Sequence, residues 1–145
     1  MIILNDTHIE VQHPQAIVSV LQKWFATLDD VDRQKEHFFV ILLDTRQKVK
    51  LIDVASVGTL NASLVHPREV FARAIINSAA SIIIAHNHPS GACEPSDADE
   101  SITAKLVRAG ELLGIELLDH IIFSEKDYYS FKANGRIVTK LIIYQ

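Results

Sequence analysis

Ser81-Ile82-Ile83-Ile84-Ala85-His86-Asn87-His88-Pro89 reads as a short buried strand that ends on two imidazoles. Its apolar residues are β-branched and contiguous, as in a strand covered on both faces. Strand side chains alternate, so His86 and His88 point one way and Asn87 the other. Proline cannot continue a ladder, so Pro89 ends the strand. The loop 89–95 turns the chain back, and Ser96-Asp97-Ala98-Asp99 opens a helical pattern over 97–113 that stops near Gly114. Ser96 is an N-cap by residue type and position. A capping signal explains an acid in the first turn. It leaves the phase of Asp99 unexplained. Asp99, Ile102, Leu106, Ala109 and Leu113 are spaced 3, 4, 3, 4, which puts the carboxylate on the apolar stripe. A buried carboxylate is costly without a partner. A cation gripped by His86 and His88 would be that partner. Two nitrogen ligands and one oxygen ligand leave a coordination position open, as a catalytic zinc site requires.

Working outward, the periodicity predicts a helix over 14–28, with Ile17, Val20, Leu21, Trp24, Phe25 and Leu28 on one face and Pro14 near its start. Residues 28–36 are a polar connector. Residues 38–43 and 49–57 predict a hairpin whose first strand is buried on both faces. Residues 58–63 read as a loop. His66-Pro67 begins a helix with Val70, Phe71, Ala74, Ile75 and Ala79 inward. Residues 115–123 read as a strand, and 136–144 as a last strand by their β-branched content. Alternating strands and helices make the class α/β or α+β, a sheet with at least one helix on each face.

The bulk numbers bound the function. One domain of 145 residues can bury a real core. The formal charge of −4 gives nucleic-acid binding no support. Cys93 stands alone, so no internal disulfide forms, which suits a reducing, cytoplasmic setting. No apolar run approaches the roughly 18–20 residues of a membrane span. Residues 1–8 lack the pattern of a signal peptide, so no membrane or secretory role is expected. Other zinc patterns fit poorly. A deaminase needs a Pro-Cys-x-x-Cys pair, and no His-Glu-x-x-His helix is present. The string His-Asn-His is not the dispersed motif of the nucleases of that name. Barrel amidohydrolases are much longer than this chain.

With those residues in place, the chain resembles a known family. His86-x-His88, seven residues, then Ser96-x-x-Asp99 is similar to the JAMM signature of JAB/MPN-domain zinc metalloproteases. His86-Asn87-His88-Pro89-Ser90-Gly91, Pro95-Ser96, Leu118-Asp119-His120 and Tyr129-Ser130-Phe131 resemble the RadC family more closely, as do Gly58-Thr59-Leu60-Asn61 and Val65-His66-Pro67-Arg68-Glu69-Val70-Phe71. The resemblance covers about residues 36–132. It implies a JAB/MPN, cytidine-deaminase-like fold, a mixed β-sheet sandwiched by helices. It also implies a catalytic core over 36–132, a helical N-terminal extension over 1–35 and a C-terminal segment over 133–145. The first 35 residues are too short for the helix-hairpin-helix module of typical full-length members.

The resemblance further implies Zn²⁺ on His86, His88 and Asp99. Glu36, at the start of an early strand, would accept a proton from water and pass it to the leaving amine. Glu69 is its rival, though it sits in a helix. Ser96 would hydrogen-bond the oxyanion, a role worth about 3–4 kcal/mol. The reaction implied is hydrolysis of a peptide or isopeptide bond in a protein or peptide substrate. Asn87, Asp119 and His120 would stand behind the ligands, and Asp119-His120 could equally serve a structural role at a strand centre. Cys93 is expected to remain an unliganded thiol, because a fourth protein ligand closes the site to water. His8, His13, His37 and His66 show no ligand spacing, and Trp24 reads as core or partner contact. The alternatives are a non-catalytic JAB/MPN interaction module, or a DNA-repair-associated accessory protein. Nucleic-acid binding by this chain alone is not expected. The apolar ends, 2–4 and 137–144, could pair within the chain or across a homodimer.

Overall fold

The computed structural model describes residues 1–5, 9–58 and 65–137. Its elements are β1 (Ile2–Asn5), α1 (Pro14–Phe25), α2 (Asp30–Arg33), β2 (Glu36–Leu43), β3 (Val49–Gly58), α3 (Pro67–Ile76), β4 (Ser81–Asn87), α4 (Asp97–Leu113), β5 (Glu116–Phe123) and β6 (Tyr128–Ser130). The strands form one mixed sheet in the order β1-β3-β2-β4-β5-β6. Only β4 and β5 run parallel, joined by the α4 crossover, and the other pairs are antiparallel.

Strand alternation divides the core in two. Phe38, Val40, Leu42, Ile82 and Ile84 pack with Phe71 and Ala74 of α3 and Ile102 and Leu106 of α4. Their neighbours Phe39, Ile41, Leu43, Ile83 and Ala85 pack with Ile17, Val18 and Leu21 of α1. The sheet is therefore covered by helices on both faces, in the α+β architecture read from the sequence. β2 is buried along its length except at Glu36, as its unbroken apolar run requires.

Some expectations need correction. α1 ends at Phe25 rather than residue 28. The polar connector after it holds its own short helix, α2, whose Asp29 accepts from the Asp32 N–H. Ile75 is on the outer side of α3 and Leu113 on the outer side of α4. The stripe of α4 drifts instead through Asp99, Ile102, Thr103, Leu106 and Gly110, as a 3.6-residue period dictates. Arg136 and Ile137 lie in a turn, and the remainder of the expected last strand is outside the described residues, as are 59–63 of the expected loop. Two short edge strands, β1 and β6, carried no clear periodic signal. β1 realises the within-chain pairing open to the N-terminal apolar run.

Helix α4 ends against the start of β5. Gly114 adopts a left-handed φ of 71°, which glycine accepts freely. One turn earlier Gly110 lets the helix touch the chain after it: an added Cβ would collide with the Ile115 carbonyl and come 3.3 Å from the Phe71 ring. Gly110→Ala should therefore lose stability. The helical gain of about 1 kcal/mol is outweighed by an overpacking cost of about 1–3 kcal/mol. A lower urea midpoint at unchanged m-value would show it; a higher midpoint would refute the close packing.

Candidate metal centre

The site forms where β4 ends and α4 begins. β4 carries His86 to the face that α4 covers, because Ile82, Ile84 and His86 alternate with Ile83, Ala85 and Asn87. His86 and His88 extend the two Nε2 atoms to within 3.0 Å of each other. Asp99 reaches them from the first turn of α4, with Oδ1 3.0 Å from His86 Nε2 and Oδ2 3.3 Å from His88 Nε2. These three residues are a group that could hold a metal ion.

Spacing and chemistry both fit. Ligands about 2.0–2.2 Å from one tetrahedral ion lie roughly 3.3 Å from one another. Asp99 is 2% exposed and His86 is fully buried, so the charge of the carboxylate is largely removed from water. Burial alone would push the Asp99 carboxyl up, but hydrogen bonds from His86 and His88 outweigh it and hold the group well below the usual carboxylate range. The bond to Asp99 raises the His88 imidazole above its ordinary value, against its own partial burial. Both effects express one local demand for positive charge beside Asp99.

Ser96 and Asp99 form a reciprocal capping box. Ser96 Oγ accepts from the Asp99 N–H at 3.2 Å, and Asp99 Oδ2 accepts from the Ser96 N–H at 2.9 Å. The cap and the candidate ligand are thus one carboxylate. Ser96 itself is exposed. Its hydroxyl accepts in the cap and still has a proton to donate.

Glu36 opens β2, two residues before Phe38, which is paired with His86. Alternation puts Glu36 on the same face as Phe38 and His86. Glu36, His88, Ser96 and Asp99 line a common cleft of about 430 Å³. Glu69, the rival glutamate, lies in the first turn of α3 and does not line this cleft. A second cleft, of about 620 Å³, shares His88 and Pro89 as its wall and continues past Phe25, Arg33 and Lys126.

The residues expected behind the ligands divide into three roles. Asn87 touches no ligand. Its Oδ1 accepts from the His37 N–H at 2.7 Å and its Nδ2 donates to the Lys35 carbonyl at 3.0 Å. It clamps the backbone on both sides of Glu36. Asp119 braces β6 and the turn after it: Oδ2 accepts from Ser130 Oγ at 2.6 Å, and Oδ1 from the N–H groups of His120 and Lys132 at 2.8 and 2.9 Å. Burial pushes its carboxyl up in spite of those bonds. His120 does reach a ligand: its Nε2 lies 2.9 Å from His86 Nδ1. Complete burial, then the charge of His86, push its pKa well below the ordinary histidine value. Thr103, not singled out from sequence, contacts His120 Nδ1 at 2.6 Å. Its signal was available: it is polar and one turn after Asp99.

The other candidates are accounted for. Cys93 is buried in the α3/α4-side core, where burial raises its thiol, and it is outside the ligand group. His37 packs edge-on to Trp24 and Phe25. His13 and His66 precede α1 and α3 without side-chain capping bonds, and His8 is outside the described residues. Among the described residues no helix is long and apolar enough to cross a membrane.

Comparison with known proteins adds the family. A family model described as "RadC-like JAB domain" matches residues 11–136, a span that takes in α1. A UPF0758 protein of Chlorobaculum tepidum is 52% identical over 104 residues, 72% of this chain and 47% of that protein. One from Rubrobacter xylanophilus is 46% identical over 127 residues, 88% of this chain and 53% of its own. One from Desulforamulus reducens is 43% identical over 132 residues, 91% of this chain and 56% of its own. The chain thus spans about half the length of the curated relatives it matches, and their names state no activity.

The bracing role of Asp119 is open to a direct check. Asp119→Ala takes the acceptor from the His120 and Lys132 N–H groups and from the Ser130 hydroxyl proton, and should cost about 3 kcal/mol. The urea midpoint should fall while metal uptake is retained. An unchanged midpoint with lost metal uptake would instead make Asp119 a ligand-orienting residue.

Proposed function

This chain belongs to the RadC-like JAB domain family, and on that premise we propose that it is a zinc-dependent hydrolase of peptide or isopeptide bonds. The observation that carries this reading is the convergence of two imidazole Nε2 atoms and one buried carboxylate at ligand spacing, beside a cleft that Glu36 and Ser96 help to line. Three protein ligands of nitrogen and oxygen type suit a catalytic zinc, whereas structural sites are closed by a fourth, commonly cysteine. Bound there, zinc would supply a Lewis acid and lower the pKa of water from about 15.7 towards roughly 7.

The chain's own groups supply the rest. Glu36 takes a proton from the attacking water and returns it to the departing amine, one carboxylate serving as base and then acid. Asn87 holds the backbone on either side of Glu36, so the base is fixed to the strand that also meets the ligands. Ser96 Oγ, held by the Asp99 N–H, donates its proton to the oxygen on which negative charge develops. The cleft is open, which suits an extended protein or peptide segment as substrate.

Metal analysis and turnover on a panel of peptide- and isopeptide-linked substrates test this reading. Purified protein should hold about one zinc per chain, as a three-ligand site does, and His88→Ala should lose it. Glu36→Gln should keep the metal and lower kcat by about 10²–10⁴-fold. Zinc-free protein that takes up no zinc, or Glu36→Gln at wild-type rate, would contradict the assignment.

A further inference from the structure

We propose that Thr103 and His120 are positioning residues: a hydrogen-bond relay from the Asp99 carbonyl through both of them fixes His86 in the tautomer that can ligate. The inference rests on the metal-site reading above. The directions of the bonds follow from which atoms can only accept.

A carbonyl oxygen only accepts. Thr103 Oγ1 lies 2.8 Å from the Asp99 carbonyl, so its one hydroxyl proton goes there. The same Oγ1 is 2.6 Å from His120 Nδ1 and has no second proton to offer. The proton in that contact therefore belongs to His120 Nδ1. His120 is fully buried, with Phe131 stacked on its ring at 4.5 Å and no carboxylate hydrogen-bonded to either nitrogen. The neutral ring, the form that burial favours, carries one proton. Its single proton is on Nδ1, so Nε2 offers a lone pair. That lone pair faces His86 Nδ1 at 2.9 Å, so His86 must carry a proton on Nδ1. In neutral His86, the form that ligates, Nε2 is then a lone pair aimed at Asp99 and His88.

His88 reaches the same state by a separate route. Its Nδ1 lies 2.8 Å from the Ala92 carbonyl and must donate, which frees Nε2. In these ligating forms two lone pairs and a carboxylate converge with no proton among them, and a cation would take the place of the Nε2 protons that otherwise hydrogen-bond Asp99. The relay also begins on the backbone of Asp99 and ends beside its side chain, so it couples helix α4 to strand β4 through β5.

The fold makes a specific provision for this. In β5, Leu117 pairs with Ile82 but Asp119 pairs with Ile83, so Leu118 is an extra residue. This bulge resets the alternation. Without it His120 would share the face of Leu118, on the α1 side; with it His120 pairs with Ile84 and lies on the α4 side.

Thr103→Val removes the hydroxyl at similar shape, and Thr103→Ser restores it. In the valine variant His120 Nδ1–H loses its acceptor. The proton moves to Nε2, donates to His86 Nδ1, and pushes the His86 proton onto Nε2, where it blocks the ligand lone pair. Two readouts apply to the full chain: histidine ¹⁵N NMR of the zinc-free protein at alkaline pH, where the rings are neutral, and zinc affinity by competition with a chromophoric chelator. Wild type and Thr103→Ser should show His86 and His120 protonated on Nδ1. Thr103→Val should shift His86 towards Nε2–H and weaken zinc binding by roughly 10–100-fold. A folded Thr103→Val protein with wild-type zinc affinity and His86 still protonated on Nδ1 overturns the relay. The NMR arm separates the two readings. Wild-type protein with the expected tautomers but no zinc affinity supports the relay and defeats the hydrolase; His86 protonated on Nε2 in wild type defeats the relay whatever the zinc result.

Discussion

Asp99 carries its carboxylate on the inward stripe of α4, at 2% exposure, and the surrounding structure answers to that one charge. Leaving a buried charge unpaired costs about 3–5 kcal/mol. The chain meets the cost locally with the Ser96 N–H and at longer range with two imidazoles from another element. The same carboxylate therefore starts a helix, bonds two imidazoles and fastens α4 to the end of β4. Capping and the proposed ligation are two uses of one group, so a capping signature and a metal signature coincide in the sequence.

The sheet is what makes the meeting possible. The α4 crossover between two parallel strands sets the helix N-terminus beside the C-terminal end of β4, where the histidines stand. The antiparallel β2 then brings its first residue, Glu36, alongside the same end. The candidate ligands come from the end of a strand and the start of a helix, and the proposed base from a second strand. The three elements are anchored in cores that close both sheet faces, while His88, one residue past β4, is held by the Ala92 carbonyl of the following loop. Asn87, on the opposite face of β4 from His86, ties the two strands on either side of Glu36, the proposed base.

Much of this was legible because it is periodic. The apolar runs in β2, β3 and β4 and the phase of Asp99 required only counting. The limits of α4 followed from Ser96 and Gly114, where residue type and position agree. What was not legible came from breaks in period. The bulge at Leu118 decides which face His120 occupies, and nothing in Leu117-Leu118-Asp119-His120 announces an extra residue. That is why Asp119 and His120 could not be told apart by alternation, though one braces β6 and the other touches a ligand. Asn87 was placed on the correct face but given the wrong partner, since its contacts are backbone groups fifty residues away. Leu113 was taken as inward because a strict 3, 4 spacing outruns the slower drift of a real helix.

X-ray absorption at the zinc edge of the metal-loaded protein tests the central claim most directly. Two imidazole nitrogens, the Asp99 oxygen and a water oxygen predict a shell of nitrogen and oxygen at about 2.0–2.2 Å. A sulfur scatterer at about 2.3 Å would mean that Cys93 closes the site, and would contradict an open hydrolytic centre built on His86, His88 and Asp99.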